Sequence, residues 1–202
     1  MGDLNRRREL GRERKDVANC GAQRTGAPYW KGLLRVRITV RQPRNGFHHP
    51  ISKQDVLEML RAVGPLAFYG LRSVELARSP SKGSTPVFGR YYVPGRILLF
   101  EQPMPPWRLS GLLRGDVARR MERAGAVLTL LTDVGATRVD WPQATLRRFM
   151  LEEVLFHELG HHVLQHHKGK RPARIARTRD HEAFAARFAE KQRAALKKGS
   201  CN

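Results

Sequence analysis

Apolar and polar residues first fall into a pattern at Leu34, Val36, Ile38 and Val40, which alternate with Arg35, Arg37, Thr39 and Arg41. A period of two is that of a half-buried strand. After a loop at 43 to 50, Ser52 stands three residues before Asp55, with Ile51 and Val56 flanking them. That is a capping box inside a hydrophobic staple, so a helix is predicted from there to Val63, ended by Gly64-Pro65. Residues 71 to 76 read as a second strand, and 79 to 86 as a Ser/Pro/Gly loop. Residues 89 to 100 read as two short strands around Pro94-Gly95, and the prolines of 103 to 106 forbid regular structure. Residues 127 to 131 and 137 to 141 pair as a hairpin around 132 to 135, while 117 to 131 also scans as a helix; the pattern alone leaves both readings open. No internal repeat is visible.

The strongest periodicity follows Pro142, a residue favoured at a first helical position. Leu146, Phe149, Met150, Leu155, Leu159 and Val163 recur at three- and four-residue spacing and predict a long helix with one buried stripe, ending at Gly169. A last helix is predicted over 181 to 196, with Phe184, Phe188 and Leu196 on its apolar side. Few strands, then helices, in a chain of 202 residues predict one α+β domain: a small mixed or antiparallel sheet packed on the long helix and the C-terminal helix. The divisions are a basic N-terminal arm at 1 to 31, the domain at 32 to 196 and a tail at 197 to 202.

Charge changes this picture at the ends. There are 38 Lys and Arg against 18 Asp and Glu, a net charge of +20, yet 41% of the residues are hydrophobic. The apolar share excludes a wholly disordered chain, and the charge predicts attraction to polyanions. Residues 1 to 31 and 168 to 202 hold much of the excess, so DNA or RNA contact through the basic N- and C-terminal segments is expected. Cys20 and Cys201 have no partners at metal-site spacing, which excludes a disulfide framework and a cysteine zinc site. No stretch is long and apolar enough for a signal peptide or a membrane span, and a cytoplasmic protein is expected. Trp30, Trp107 and Trp141 read as core or cover rather than base-stacking platforms, because no aromatic residues interleave the basic segments.

The chemistry lies in the long helix, at His157-Glu158-Leu159-Gly160-His161. Residues four apart on a helix lie one turn above each other, so the two imidazoles can bind one metal ion while Glu158 reaches a water on it. Shuffled chains of this composition produce such a motif in about 2% of cases; its place on an independently predicted helix raises it above chance. A third ligand is required, and His167, Asp180, His181 and Glu182 are available. His167 falls about 80° off the ligand face if the helix continues. Glu182 opens a segment rich in alanine, Ala183, Ala185, Ala186 and Ala189, where two helices could approach closely. His162 and His166 read as solvated or supporting residues.

HELGHH followed by ExxAxxFA resembles the gluzincin zinc metallopeptidases, particularly the minimal ImmA/IrrE-type enzymes and more distantly the HtpX-like ones. The resemblance covers about residues 90 to 190, with specific motifs only at 157 to 161 and 182 to 189. It implies a zincin-like domain with one Zn²⁺ held by His157, His161 and Glu182, and Glu158 as general base in the hydrolysis of a protein or peptide substrate. It also implies a substrate paired as an added strand on a sheet edge beside the active-site helix, for which residues 96 to 101 are the candidate, and an oxyanion donor such as Tyr91, Tyr92 or a nearby histidine. The family often carries Asp or Asn four residues after the ligand Glu. Here that position is Ala186, and Asp180 or Glu153 is the expected substitute.

Overall fold

The computed structural model describes residues 36–80, 87–113, 115–142, 144–167 and 179–199. The N-terminal arm, Trp30, both cysteines, the basic connector at 168–178, Gly169 and the side chain of His167 lie outside them. Among the described residues no helix is long and apolar enough to cross a membrane.

A four-stranded sheet is built from β1 (Arg37–Val40), β3 (Ser73–Ala77), β4 (Gly89–Tyr92) and β5 (Arg96–Phe100) in the order β1-β3-β5-β4. β1, β3 and β5 are parallel, and β4 runs antiparallel to β5. Between β1 and β3 the chain forms the two-residue β2 (Phe47–His48) and the helices α1 (Lys53–Val63) and α2 (Pro65–Phe68). β6 (Gln102–Pro103) pairs with β2, so short ladder pieces enter two segments that the prolines mark as loops. A second, antiparallel sheet holds β7 (Trp107–Ser110), β9 (Ala136–Asp140) and β8 (Val127–Leu131) in that order, with α3 (Gly115–Arg123) ahead of β8. Both readings of 117 to 131 are thus partly right. The helix stops at Arg123 and Gly125, at φ 99°, turns the chain into the hairpin.

The inner face of the larger sheet carries Val36, Ile38, Val74, Leu76, Ile97 and Leu99, each 7% exposed or less. The long helical run packs against it in three parts: α4 (Thr145–Arg148), a π-helical segment (Phe149–Leu155) and α5 (Phe156–His167). Phe149 and Phe156 are 1% and 0% exposed, and burial of each contributes about 2 kcal/mol. Val163 is only partly covered, and Leu151, Val154 and Phe156 are buried as well, so the single stripe predicted by period 3.6 is too narrow. The run is enclosed by sheet, α1 and α6 (Arg179–Gly199) rather than lying on a surface. Trp107 and Trp141, with ring centroids 5.2 Å apart, tie the second sheet to Phe149. α6 extends beyond the predicted 181 to 196 at both ends, into flanks of Arg and Lys that favour helix.

The capping box at the start of α1 is present: the Asp55 amide donates to Ser52 Oγ at 3.1 Å and the Ser52 amide donates to Asp55 Oδ2 at 2.7 Å. Arg147 also donates to Asp55, linking α1 to α4. That hydrogen bond, ahead of the cap bonds, holds the Asp55 carboxyl at about 2. A depressed carboxylate stabilises the fold above its unfolded pKa and ceases to do so as pH falls through its folded one. Asp55→Asn should therefore lower stability by about 1 kcal/mol at neutral pH after allowance for solvent screening. In denaturant titrations the difference from wild type should shrink between about pH 4 and pH 2; a difference independent of pH would contradict the ion pair.

Candidate metal centre

α5 lies between β4 and α6, and two glycines set how closely. A Cβ on Gly160 would stand 2.7 Å from Ala185 Cα and 3.1 Å from Ala185 O, so the helix backbones meet where only glycine faces alanine. Ala185 and Ala189 are 0% and 2% exposed, in keeping with the close approach expected from the alanine-rich segment. On the other flank, a Cβ on Gly89 would stand 2.7 Å from Val154 Cγ1 and 3.1 Å from Glu158 Cγ. Gly160 carries a sequence signal, since glycine inside a helix costs about 1 kcal/mol relative to alanine and is retained where something needs the space. Gly89 carries none, because its neighbour is distant in the chain.

With that spacing Glu182, in the first turn of α6, meets the two histidines of α5. His157 Nε2 lies 3.1 Å from Glu182 Oε2 and 3.2 Å from His161 Nε2, and His161 Nε2 lies 3.6 Å from Glu182 Oε1. Ligands held tetrahedrally at zinc's usual bond lengths are about 3.3 Å apart, and these contacts, which reach both Glu182 oxygens, bracket that value. The donor types, two imidazole nitrogens and a carboxylate, suit zinc and leave a fourth position for water. The His157 and His161 side chains are 14% and 5% exposed, and Glu182 is 46% exposed, so the cluster opens to solvent on the carboxylate side. Among the described residues these three form the metal-capable group; Asp180 and His181 do not join it, and Asp180 is exposed.

Glu158 is 5% exposed, on the flank of α5 that faces Gly89. The other candidates fall elsewhere. Glu153 is buried, but its carboxylate is drawn to Arg193 at 3.0 Å and Arg120 at 3.4 Å. Three arginines, Arg120, Arg123 and Arg193, surround it and outcompete a histidine as partners, so it does not replace the side chain missing at Ala186, which is itself exposed. His162 is not solvated: it is 1% exposed and donates from Nε2 to the Tyr69 carbonyl at 2.9 Å. The exposed His166 packs edge-on against Tyr69, so these two residues fasten the 69–70 turn to α5.

Residues 96 to 101 are not the sheet edge. β5 is an inner strand between β3 and β4, and the edge beside α5 is β4. Reading the hairpin locally gives the two strands but not which of them pairs back to β3. On β4, Gly89 and Tyr91 face α5, where the Tyr91 ring lies 5.7 Å from that of His162. Burial raises the Tyr91 pKa, against a hydrogen bond from the Gly95 backbone. Arg90 and Tyr92 point to the opposite face and are exposed.

Compared with family models, curated proteins and solved structures, the chain matches none of them. The class defined by fold and site is accordingly an α+β domain with a His/His/Glu donor cluster between two packed helices.

Proposed function

We propose that this protein is a zinc-dependent metallopeptidase, with His157, His161 and Glu182 as ligands and Glu158 as general base, brought to nucleic acid by its basic terminal segments. The observation that carries the reading is the convergence of three donor side chains from two helices, with contacts of 3.1, 3.2 and 3.6 Å between their nitrogen and oxygen atoms, next in sequence to a buried carboxylate. A zinc ion held by these three residues would lower the pKa of a water towards 7 and polarise a carbonyl. Glu158 accepts the proton of the attacking water and delivers it to the leaving amine. Its place against Gly89 keeps the carboxylate beside the edge strand. β4 offers its outer backbone groups to an extended peptide, which would then lie along the flank of α5.

Purified protein should hold about one zinc per chain, and His157→Ala should abolish that binding. Hydrolysis of unfolded casein should stop on chelation and return with zinc. Wild-type protein that takes up no zinc would sink the reading. A second reading, a nucleic-acid-binding protein with a structural or vestigial zinc site, is favoured by the exposed alanine at Ala186 and the net charge of +20. It expects nucleic-acid binding with steep salt dependence and no cleavage.

A further inference from the structure

The face of the larger sheet turned away from α5 has a composition that terminal tails do not explain. The register places Arg37, Ser73, Arg96 and Tyr92 in one row across the four strands, and Thr39, Glu75, Leu98 and Arg90 in the next. Arg41 follows β1 on the same side, and Arg72 borders the first row; these two with Arg37 and Arg96 line a shallow depression of about 480 Å³. Arg37, Arg41, Arg72, Arg90 and Arg96 are all exposed. The single acidic residue among them, Glu75, is 8% exposed and receives hydrogen bonds from Arg41 and Arg96. Burial pushes its pKa up, but the two arginines outweigh that and hold it below the ordinary carboxylate range, so it acts as a fixed anchor orienting two guanidinium groups.

We infer that this face binds a single strand of nucleic acid through its phosphates. Among the described residues named on it every cation is arginine, whose planar fork matches phosphate in a way that a lysine ammonium does not. Four strands span about 15 Å, and the described part of the face is built from strands, with no helix or ribbon to enter a duplex groove. Beside the arginine rows stands an exposed ring, Tyr92, with the Arg90 guanidinium 6.0 Å from its centroid, a place for a base to stack. The inference is independent of the metal centre, which lies on the other side of the sheet.

Arg37, Arg72 and Arg90 have no carboxylate partner among the described residues, so their replacement leaves the Glu75 anchor intact. The triple variant Arg37→Gln/Arg72→Gln/Arg90→Gln in the full chain should bind labelled oligo(dT) about tenfold or more weakly at moderate salt. The slope of log affinity against log salt should fall by about 2, as expected for three lost phosphate contacts on a single strand. The corresponding Arg→Lys triple keeps the charge and should keep the slope. Circular dichroism and thermal denaturation report whether each variant is folded, and the Lys triple carries the test if the Gln triple is not: affinity for oligo(dT) equal to wild type there overturns the role of the guanidinium forks. Unchanged affinity and slope in a folded Gln triple overturn the inference. So does tighter binding of a duplex of the same length, or competition by polyglutamate as effective as that by unlabelled oligo(dT).

Discussion

Glu158→Gln is expected to leave zinc bound and to lower kcat/KM for peptide hydrolysis by about 10²–10⁴-fold. Glutamine has the size and shape of the glutamate it replaces, so it fits the same 5%-exposed position without disturbing Val154 or Gly89. It cannot accept a proton, and Glu158 is none of the three residues that would hold the metal. Loss of rate with retention of metal therefore separates proton transfer from ligation. Zinc content by atomic absorption and turnover of a fluorogenic peptide measure the two separately. Unchanged turnover would remove Glu158 from the chemistry, and simultaneous loss of zinc would make its role structural.

Gly160→Ala is the second large expectation, and it opposes what propensity alone says. In an exposed helix the change would stabilise by about 1 kcal/mol. Here the new methyl meets Ala185 Cα at 2.7 Å and Ala185 O at 3.1 Å, both backbone atoms that cannot rotate away. α6 must retreat, and it carries Glu182 with it, three residues before Ala185. The expected result is a stability loss of about 1–3 kcal/mol from overpacking. Zinc affinity should fall by at least about tenfold, the lower end of what misorienting a metal ligand costs. Competition with a calibrated chelator measures the affinity, and denaturant titration the stability. Affinity equal to wild type would show that the Glu182 position is not set by this contact.

What could be read from the chain beforehand has a common property: the signal is local. The alternation through Val36 and Ile38, the Ser52–Asp55 cap and the hairpin around Pro94-Gly95 each depend on residues within a few positions of one another, and each appears in the structure. His157 and His161 share one helix, so their common face follows from helix geometry. Glu182 is one of four candidates that the sequence offers, and small residues around it, seen in the structure as Ala185 against Gly160, permit the helices to meet. The misses depend on partners far away in sequence. Which strand forms the edge depends on β5 pairing with β3; the burial of His162 depends on Tyr69; the diversion of Glu153 depends on arginines from α3 and α6. Hydrophobic period cannot reveal these, because each is a choice among partners rather than a property of one segment.

The π-helical stretch at Phe149–Leu155 also gives the site its angular setting. Upstream of it α4 is tied to α1 through Arg147 and Asp55, and downstream of it α5 carries the histidine pair, so the segment works as an indexing gear between a fixed shaft and a pointer. Adding or removing one residue here would turn the pointer by roughly a quarter of a turn, whereas conservative exchange of Met150 or Leu151 changes packing without turning it. The direction in which His157 and His161 face is therefore encoded in the number of residues in this stretch more than in their identity.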